Sequence, residues 1–490
     1  MESRPDAHRR LIALAFLSTA VMLYFGTGLT PIPWLTWIAP LPVLLLAPMV
    51  AARAAVLTAF GAYLVSTANS WAYYAHSQDV PLPAGIAISL GYSIAFAAGV
   101  TLFRAWLLRG RPLLAAFSVP AVWVTLLFVS ASVNPTGISG TLAGSQVGVP
   151  VVLQTAAVAG AWGVEFLVML APASLAALRF APVRVAATTL AFALAVGVFG
   201  VVRLAGEDAQ PAQRVAAMVH DTAPWGVDLT SAQGQALFDA YAESIASLPD
   251  GVTAVVLPEA AFGIDDAGLP LLRDKVADLA AAEKTTVVVG YLRRSGGRKY
   301  NEALAAPGDG QAPVSYLKQH DTTSELGDDL VFVPGTQTGL VICMDVNFPD
   351  PAGDYAKAGA TMLLIPAADN NEDGWQHAHT AVLRGAENGL ATIWAGRYGT
   401  AMIADGRGRV LAEQHVGTGD RITVVVASVP AGAGATAYTR IGDWAAWLAV
   451  LLAIAAAGLL FVRRRRPEVA DPARTSATAG QAEPVADVAA

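Results

Sequence analysis

Apolar residues run almost unbroken through residues 1–205, where acids are nearly absent, and then give way to short alternating and periodic stretches. A run of about 20 apolar residues is long enough to cross a bilayer core. Seven such spans are expected near 10–27, 34–51, 54–74, 84–106, 113–131, 151–178 and 185–203, and an eighth near 443–462. Between 206 and 440 the pattern changes. RVAAMVH, VTAVVLPEAAFG, TTVVVGY, YNEALAA, APVSYLKQH, GLVICMD and ATMLLIPAAD read as strands, and ATIWAGRYGTAMIADGRGRVLAE as strands with a hairpin turn. Helical periodicity falls at about 231–247, 269–283 and 375–389. Strands that are apolar throughout and alternate with helices imply a sheet covered on its faces, so this is an α/β domain. The expected organisation is a membrane domain (1–205), the α/β domain (206–440), a last transmembrane helix (441–462) and a tail (463–490) without periodicity, read as disordered.

Composition sharpens this picture. The chain is 54% hydrophobic and 14% charged, with mean hydropathy +0.49, whereas soluble domains are about a quarter charged. The net charge of -7 is modest, and no basic block resembles a nucleic-acid surface. A single Cys excludes an internal disulfide and a Cys-rich zinc site. Arg9, Arg10, Arg53, Arg104, Arg109, Arg111, Arg179, Arg184 and Arg463–Arg466 fall in alternate loops, while GTGLTPIP, HSQDVPLP and VNPTGISGTLAGSQVG have no Lys or Arg. The positive-inside rule then puts both termini in the cytoplasm and the α/β domain outside. A first span cleaved as a signal peptide would leave that topology unchanged. Trp71, Tyr73 and Tyr74 read as an interfacial belt. Glu165 lies deep in the sixth span; an intramembrane acid is a functional candidate, the competing reading being that it sits near an interface or caps a broken helix, and it is expected to face the bundle interior or the cleft beneath the α/β domain rather than lipid.

Three polar residues share one feature. Glu259, Lys318 and Cys343 each stand where a buried strand runs out, which is where ligand sites gather in layered α/β folds. A thiol needs a base to become a nucleophile, a carboxylate can be that base, and a lysine can stabilise an oxyanion. The competing reading is that Cys343 fills core space. His320, His377 and His379 raise the question of a metal, but a two-residue spacing on a helix does not aim both rings at one ion, and no metal is expected. Trp375 and Asn370 are candidates for lining the pocket.

The motifs LPEAAF, YLKQH and ICMDVNFPD resemble the Glu, Lys and Cys motifs of the carbon-nitrogen hydrolase (nitrilase) superfamily, and LRGAENG with GTAMIADGRGRVLAE is similar to its later helix and hairpin. With spans before and after, residues 10–462 resemble the apolipoprotein N-acyltransferase family. The resemblance implies a four-layer αββα sandwich, Glu259 as general base, Lys318 as oxyanion stabiliser, Cys343 as nucleophile and the Met344 backbone N–H completing the oxyanion site. It implies no cofactor, a phospholipid acyl donor and a lipoprotein acceptor whose diacylglyceryl-cysteine amine is acylated through a Cys thioester. The sequence departs from the family in places. Met344-Asp345 replaces the usual Tyr-Glu, and DTTSELG stands where PFGE is expected. Asp345 and Glu325 are the candidates for the supporting carboxylates. A membrane-tethered amidase or nitrilase-type hydrolase shares the triad and uses water instead of an amine; a non-enzymatic lipid- or partner-binding membrane protein needs no triad.

Overall fold

The computed structural model describes residues 4–461 except 77–79, 81, 139, 207–210, 370–372, 418 and 420. Among these, five helices are long and apolar enough to cross a membrane: His8–Gly26, Leu82–Leu108, Pro112–Val133, Ala156–Ala177 and Pro182–Ala205. Leu14, Val129, Leu190 and Val202 are exposed on them, a surface suited to lipid. The other three expected spans are shorter. Residues 33–49 are broken into a 3-10 turn (Pro33–Trp37), a six-residue helix (Leu41–Leu46) and a second 3-10 turn (Ala47–Met49), because Pro40, Pro42 and Pro48 remove backbone donors. Ala52–Ser66 has 15 residues and runs on through the turn Thr67–Ser70 into Trp71–His76. Trp444–Gly458 also has 15. The Arg463–Arg466 cluster and the tail lie outside the described residues, as does Asn370.

Two of the basic loops and the end of the last helix meet at one end of the bundle. Arg104 donates to the carbonyls of Ala47 (2.9 Å) and Val50 (3.0 Å), and Arg109 to that of Leu460 (3.2 Å). Segments at two of the loops without basic residues, and the start of Ala156–Ala177, touch the α/β domain. The Tyr73 hydroxyl donates to Asp373 (2.7 Å), Ile138 N–H to Asn347 O (2.9 Å) and Ala161 N–H to the Glu387 carboxylate (2.6 Å). Tyr73 is therefore buried against the α/β domain, which corrects its reading as part of an interfacial belt.

Glu165 is fully buried in the bundle. Its carboxylate accepts from Trp123 Nε1 (2.7 Å) and from the Ala143 backbone N–H (3.0 Å), at the start of the short helix Leu142–Ser145. It therefore ties three segments together in a region where an unmet donor has no water to turn to. Glu165→Ala strands two buried donors, each costing about 1–3 kcal/mol. Thermal unfolding in detergent should show a Tm lower by several degrees, with Glu165→Gln falling less; an unchanged Tm for Glu165→Ala would refute this anchoring role.

The α/β domain has two sheets. The first holds β1 (Ala212–His220), β2 (Val227–Asp228), β3 (Val252–Val256), β4 (Phe262–Asp265), β5 (Thr286–Ser295), β6 (Arg298–Ala306), β7 (Val314–Leu317) and β13 (Ile422–Pro430). The second has the order β12 (Val410–His415), β11 (Thr400–Ala404), β10 (Ala391–Arg397), β9 (Met362–Ala368), β8 (Thr338–Leu340). Period-2 alternation decides the layers. Val215, Ala217 and Val219 of β1 pack with Leu364 and Ile393 of the second sheet. Ala216 and Met218 face Leu237, Tyr241 and Val276 on the helices Ala232–Ala246 and Leu269–Glu283. On the far side of the second sheet lie the helices Ala352–Lys357 and Gly374–Asn388. The result is the four-layer αββα sandwich. The helix Ala232–Ala246 starts at Ser231, whose hydroxyl accepts from Gly234 N–H, and Gly374–Asn388 stops at Gly389, in the left-handed region at φ 67.

Candidate active site

Glu259 sits on the turn between β3 and β4. That turn crosses β5 at Gly290, where a Cβ would lie 2.6 Å from the Glu259 Cα, so only glycine fits. Ala260 follows at φ 47, a costly conformation for a residue with a Cβ. Buried Arg397, from the end of β10, holds the turn by donating to Glu259 O (2.8 Å) and Ala260 O (2.6 Å). The Glu259 N–H reaches Ala367 O at 3.2 Å, so the two sheets meet here.

Lys318 is the residue after β7, its N–H bonded to Asn301 O (3.0 Å) in β6. Its Nζ lies 2.7 Å from Glu259 Oε1, and Asn301 Nδ2 donates to the same oxygen at 2.6 Å. Lys318 and Glu259 are both buried. Burial pulls the lysine pKa down, but Glu259, Cys343 and Asp321 outweigh it and hold Lys318 above the usual lysine range. A buried ion pair of this kind is costly to desolvate and is better evidence of a function than of stability.

Cys343 stands at the elbow where β8 and Val341–Ile342 run out and the 3-10 helix Cys343–Asn347 begins. Its φ is 44, again in the left-handed region. The thiol donates to Ala368 O at 3.2 Å. Burial pushes its pKa well up, Glu259 adds to that, and Lys318 opposes it. Burial thus favours the thiol over the thiolate, in surroundings shared with a carboxylate and an ammonium. Met344 occupies the first turn of the 3-10 helix, where backbone N–H groups lack an intrahelical acceptor.

The two candidate supporting acids part company. Asp345 is buried and accepts from Tyr316 Oη (2.8 Å), Ile342 N (2.9 Å), Gln319 N (3.1 Å) and His320 N (2.9 Å), which bolts the segment after Lys318 to the nucleophile turn. Glu325 is exposed, with Arg298 at 3.6 Å. The second carboxylate beside the lysine, after Glu259, is Asp321, with Nζ at 3.9 Å and Asn301 Nδ2 at 3.3 Å. The chain turns sharply after Lys318, so the third residue on returns to the ammonium and the seventh does not.

His377 and Asp369, at the end of β9, form a 2.7 Å contact through Nδ1 and Oδ1, and His377 Nδ1 is 4.0 Å from the Cys343 sulfur. Donor atoms of all three lie within 4.8 Å of one another. Two ligands of one tetrahedral ion with arms near 2.0–2.1 Å stand roughly 3.3 Å apart. The His377–Asp369 spacing is instead a hydrogen bond. His379 is bonded to Trp375 O (2.7 Å) and stacks on the Trp375 ring at 3.8 Å. His320 stacks on Phe348 at 3.8 Å. Asn301, Asp321, Asp369 and Arg397 were not foreseen from the sequence. For Asn301, Asp369 and Arg397 the available signal was a polar residue within, or at the end of, an apolar strand, the same signal that picks out Glu259; Asp321 lies in the loop beyond β7 and carries no such signal.

A family model described as carbon-nitrogen hydrolase matches residues 214–438, and one described as the apolipoprotein N-acyltransferase N-terminal domain matches residues 19–174. An apolipoprotein N-acyltransferase of Bradyrhizobium diazoefficiens is 27% identical over 380 residues, covering 64% of this chain and 66% of that one. An (R)-stereoselective amidase of Pseudomonas sp is 28% identical over 144 residues, covering 26% of this chain and 52% of that one. A crystallised amidase from Nesterenkonia sp. is 20% identical with TM-score 0.37, covering 46% of this chain and 93% of that one. The chain spans less than two thirds of the length of the curated relatives it matches.

Proposed function

From a chain that belongs to the apolipoprotein N-acyltransferase family, within the nitrilase superfamily, we propose a membrane N-acyltransferase. It takes a fatty acyl chain from a phospholipid onto Cys343 and passes it to the α-amine of a lipoprotein's diacylglyceryl-cysteine. The observation that carries this reading is the buried Lys318–Glu259 pair beside the chain's only thiol, in a domain seated on apolar helices.

In this mechanism Glu259 takes the thiol proton, which burial would otherwise hold on the sulfur. The thiolate attacks the phospholipid ester. Lys318 and the Met344 N–H face the oxyanion that forms. Glu259 returns its proton to the departing alcohol, leaving a thioester on Cys343. The acceptor amine then attacks the thioester carbonyl and the thiol is restored. Asp345 and Asp321 position the nucleophile turn and the lysine. N-terminal analysis by mass spectrometry of lipoproteins from cells with and without the protein tests this function. An N-acyl mass that depends on the protein is expected. Diacylated N-termini in both would contradict it, and released fatty acid without amide would select the amidase or hydrolase reading.

The domain order carries over into this proposal: residues 1–205 and 441–462 in the membrane, 206–440 as the extracytoplasmic catalytic domain and 463–490 as a cytoplasmic tail. Support comes from two Arg loops meeting the end of the last helix while segments at two of the uncharged loops meet the α/β domain. Reporter fusions or protease protection should place residue 300 outside and both termini inside. A cytoplasmic residue 300 would remove the lipoprotein substrate from reach.

A further inference from the structure

The mechanism above uses the first-sheet groups, Glu259 and Lys318. The same sulfur meets a second acid–base pair from the other sheet. His377, in the first turn of Gly374–Asn388, places Nδ1 at 4.0 Å from Sγ and at 2.7 Å from Asp369 Oδ1. Nδ1–H donated to Asp369 leaves Nε2 as the basic nitrogen, and Nε2 is buried without a hydrogen-bond partner among the described residues. This is the arrangement of an imidazole oriented by a carboxylate to receive a proton.

Proton counting gives the pair a task. Forming the thioester from a thiol and an ester releases an alcohol and no net proton. Transfer to an ammonium acceptor is different: the nitrogen arrives with three protons and ends as an amide with one. Of the two it loses, one restores the Cys343 thiol through Glu259. The other is surplus. We propose that His377, oriented by Asp369, is a second acid–base residue of this site and carries that surplus proton away from the acceptor amine. The inference rests on the amine-acceptor reading above.

The groups facing the imidazole are Asp369, Asp373, Cys343 and Lys318, with the Trp394 ring 4.8 Å away. Burial lowers the His377 pKa, but Asp369 more than offsets it, so the pKa stands above the ordinary imidazole value.

The test separates the two half-reactions in the full-length protein in lipid nanodiscs, loaded from labelled phospholipid and then given a synthetic diacylglyceryl-cysteine peptide. His377→Gln and Asp369→Asn should slow transfer at pH 7 by about tenfold or more beyond any slowing of thioester formation. The excess should shrink as the pH rises to 9, where the peptide amine is already neutral. Asp369→Asn keeps the imidazole and carries the test if His377→Gln loads poorly. Equal slowing of both steps, or a transfer deficit independent of pH, would overturn the inference while leaving the acyltransferase reading intact. A wild-type protein that forms a thioester but never acylates the peptide would overturn both.

Discussion

Cys343→Ala is expected to abolish acyl-enzyme formation and turnover, a loss on the order of 10⁴-fold or more. No second thiol exists to take over, because Cys343 is the only cysteine in the 490 residues. The fold should tolerate the change. The substitution removes one sulfur and its contact to Ala368 O, while Asp345 still holds the nucleophile turn through Ile342 N and Tyr316. A detergent Tm within a few degrees of wild type would show that chemistry, not folding, was lost. Cys343→Ser should fall nearly as far, since a hydroxyl gives up its proton far less readily than a thiol. Turnover by Cys343→Ala at a wild-type rate would remove the nucleophile from the mechanism.

The second large effect is at the buried ion pair. Glu259→Gln removes the base and should cost about 10²–10⁴-fold. Lys318→Ala removes the ammonium facing the oxyanion and should cost about 10²–10³-fold. Stability separates the two. Lys318→Ala leaves the Glu259 carboxylate buried with Asn301 as its side-chain donor, and an uncompensated buried charge costs about 3–5 kcal/mol. Lys318→Ala combined with Glu259→Gln leaves no charge in the pair. The double variant should therefore be as inactive as the singles and more stable than Lys318→Ala, a non-additivity expected of groups in direct contact. Chemical denaturation of the four proteins beside thioester assays gives both readings. A double variant no more stable than Lys318→Ala would mean that the pair's charges are not what Lys318→Ala disturbs.

Much of the fold is visible in the pattern of the chain. The helices Ala232–Ala246, Leu269–Glu283 and Gly374–Asn388 lie within a residue or so of where periodicity puts them, because each has one apolar face and a clear stop or start. The strand ends carrying Glu259, Lys318 and Cys343 are visible for a similar reason: a polar residue closes an apolar run. The membrane region is less legible. Hydropathy counts apolar residues and overlooks what prolines do to the backbone, so 34–51 reads as one span and folds as three short pieces. The loop after Lys318 follows no period. Its turn brings Asp321 rather than Glu325 back to the ammonium. Asp369 and His377 meet only because β9 and the following helix converge on the sulfur, a relation between elements that spacing along the chain does not encode.

The most direct test is a trapping experiment on the nucleophile. The protein is incubated with phospholipid labelled in its acyl chain, quenched, split into two samples with and without neutral hydroxylamine, and mapped by peptide mass spectrometry. The expected result is one acyl group on the peptide containing Cys343, released by hydroxylamine as a thioester should be, and absent from Cys343→Ala. A hydroxylamine-resistant adduct, a label on another residue, or an undiminished label in Cys343→Ala would contradict Cys343 as the acyl-carrying nucleophile.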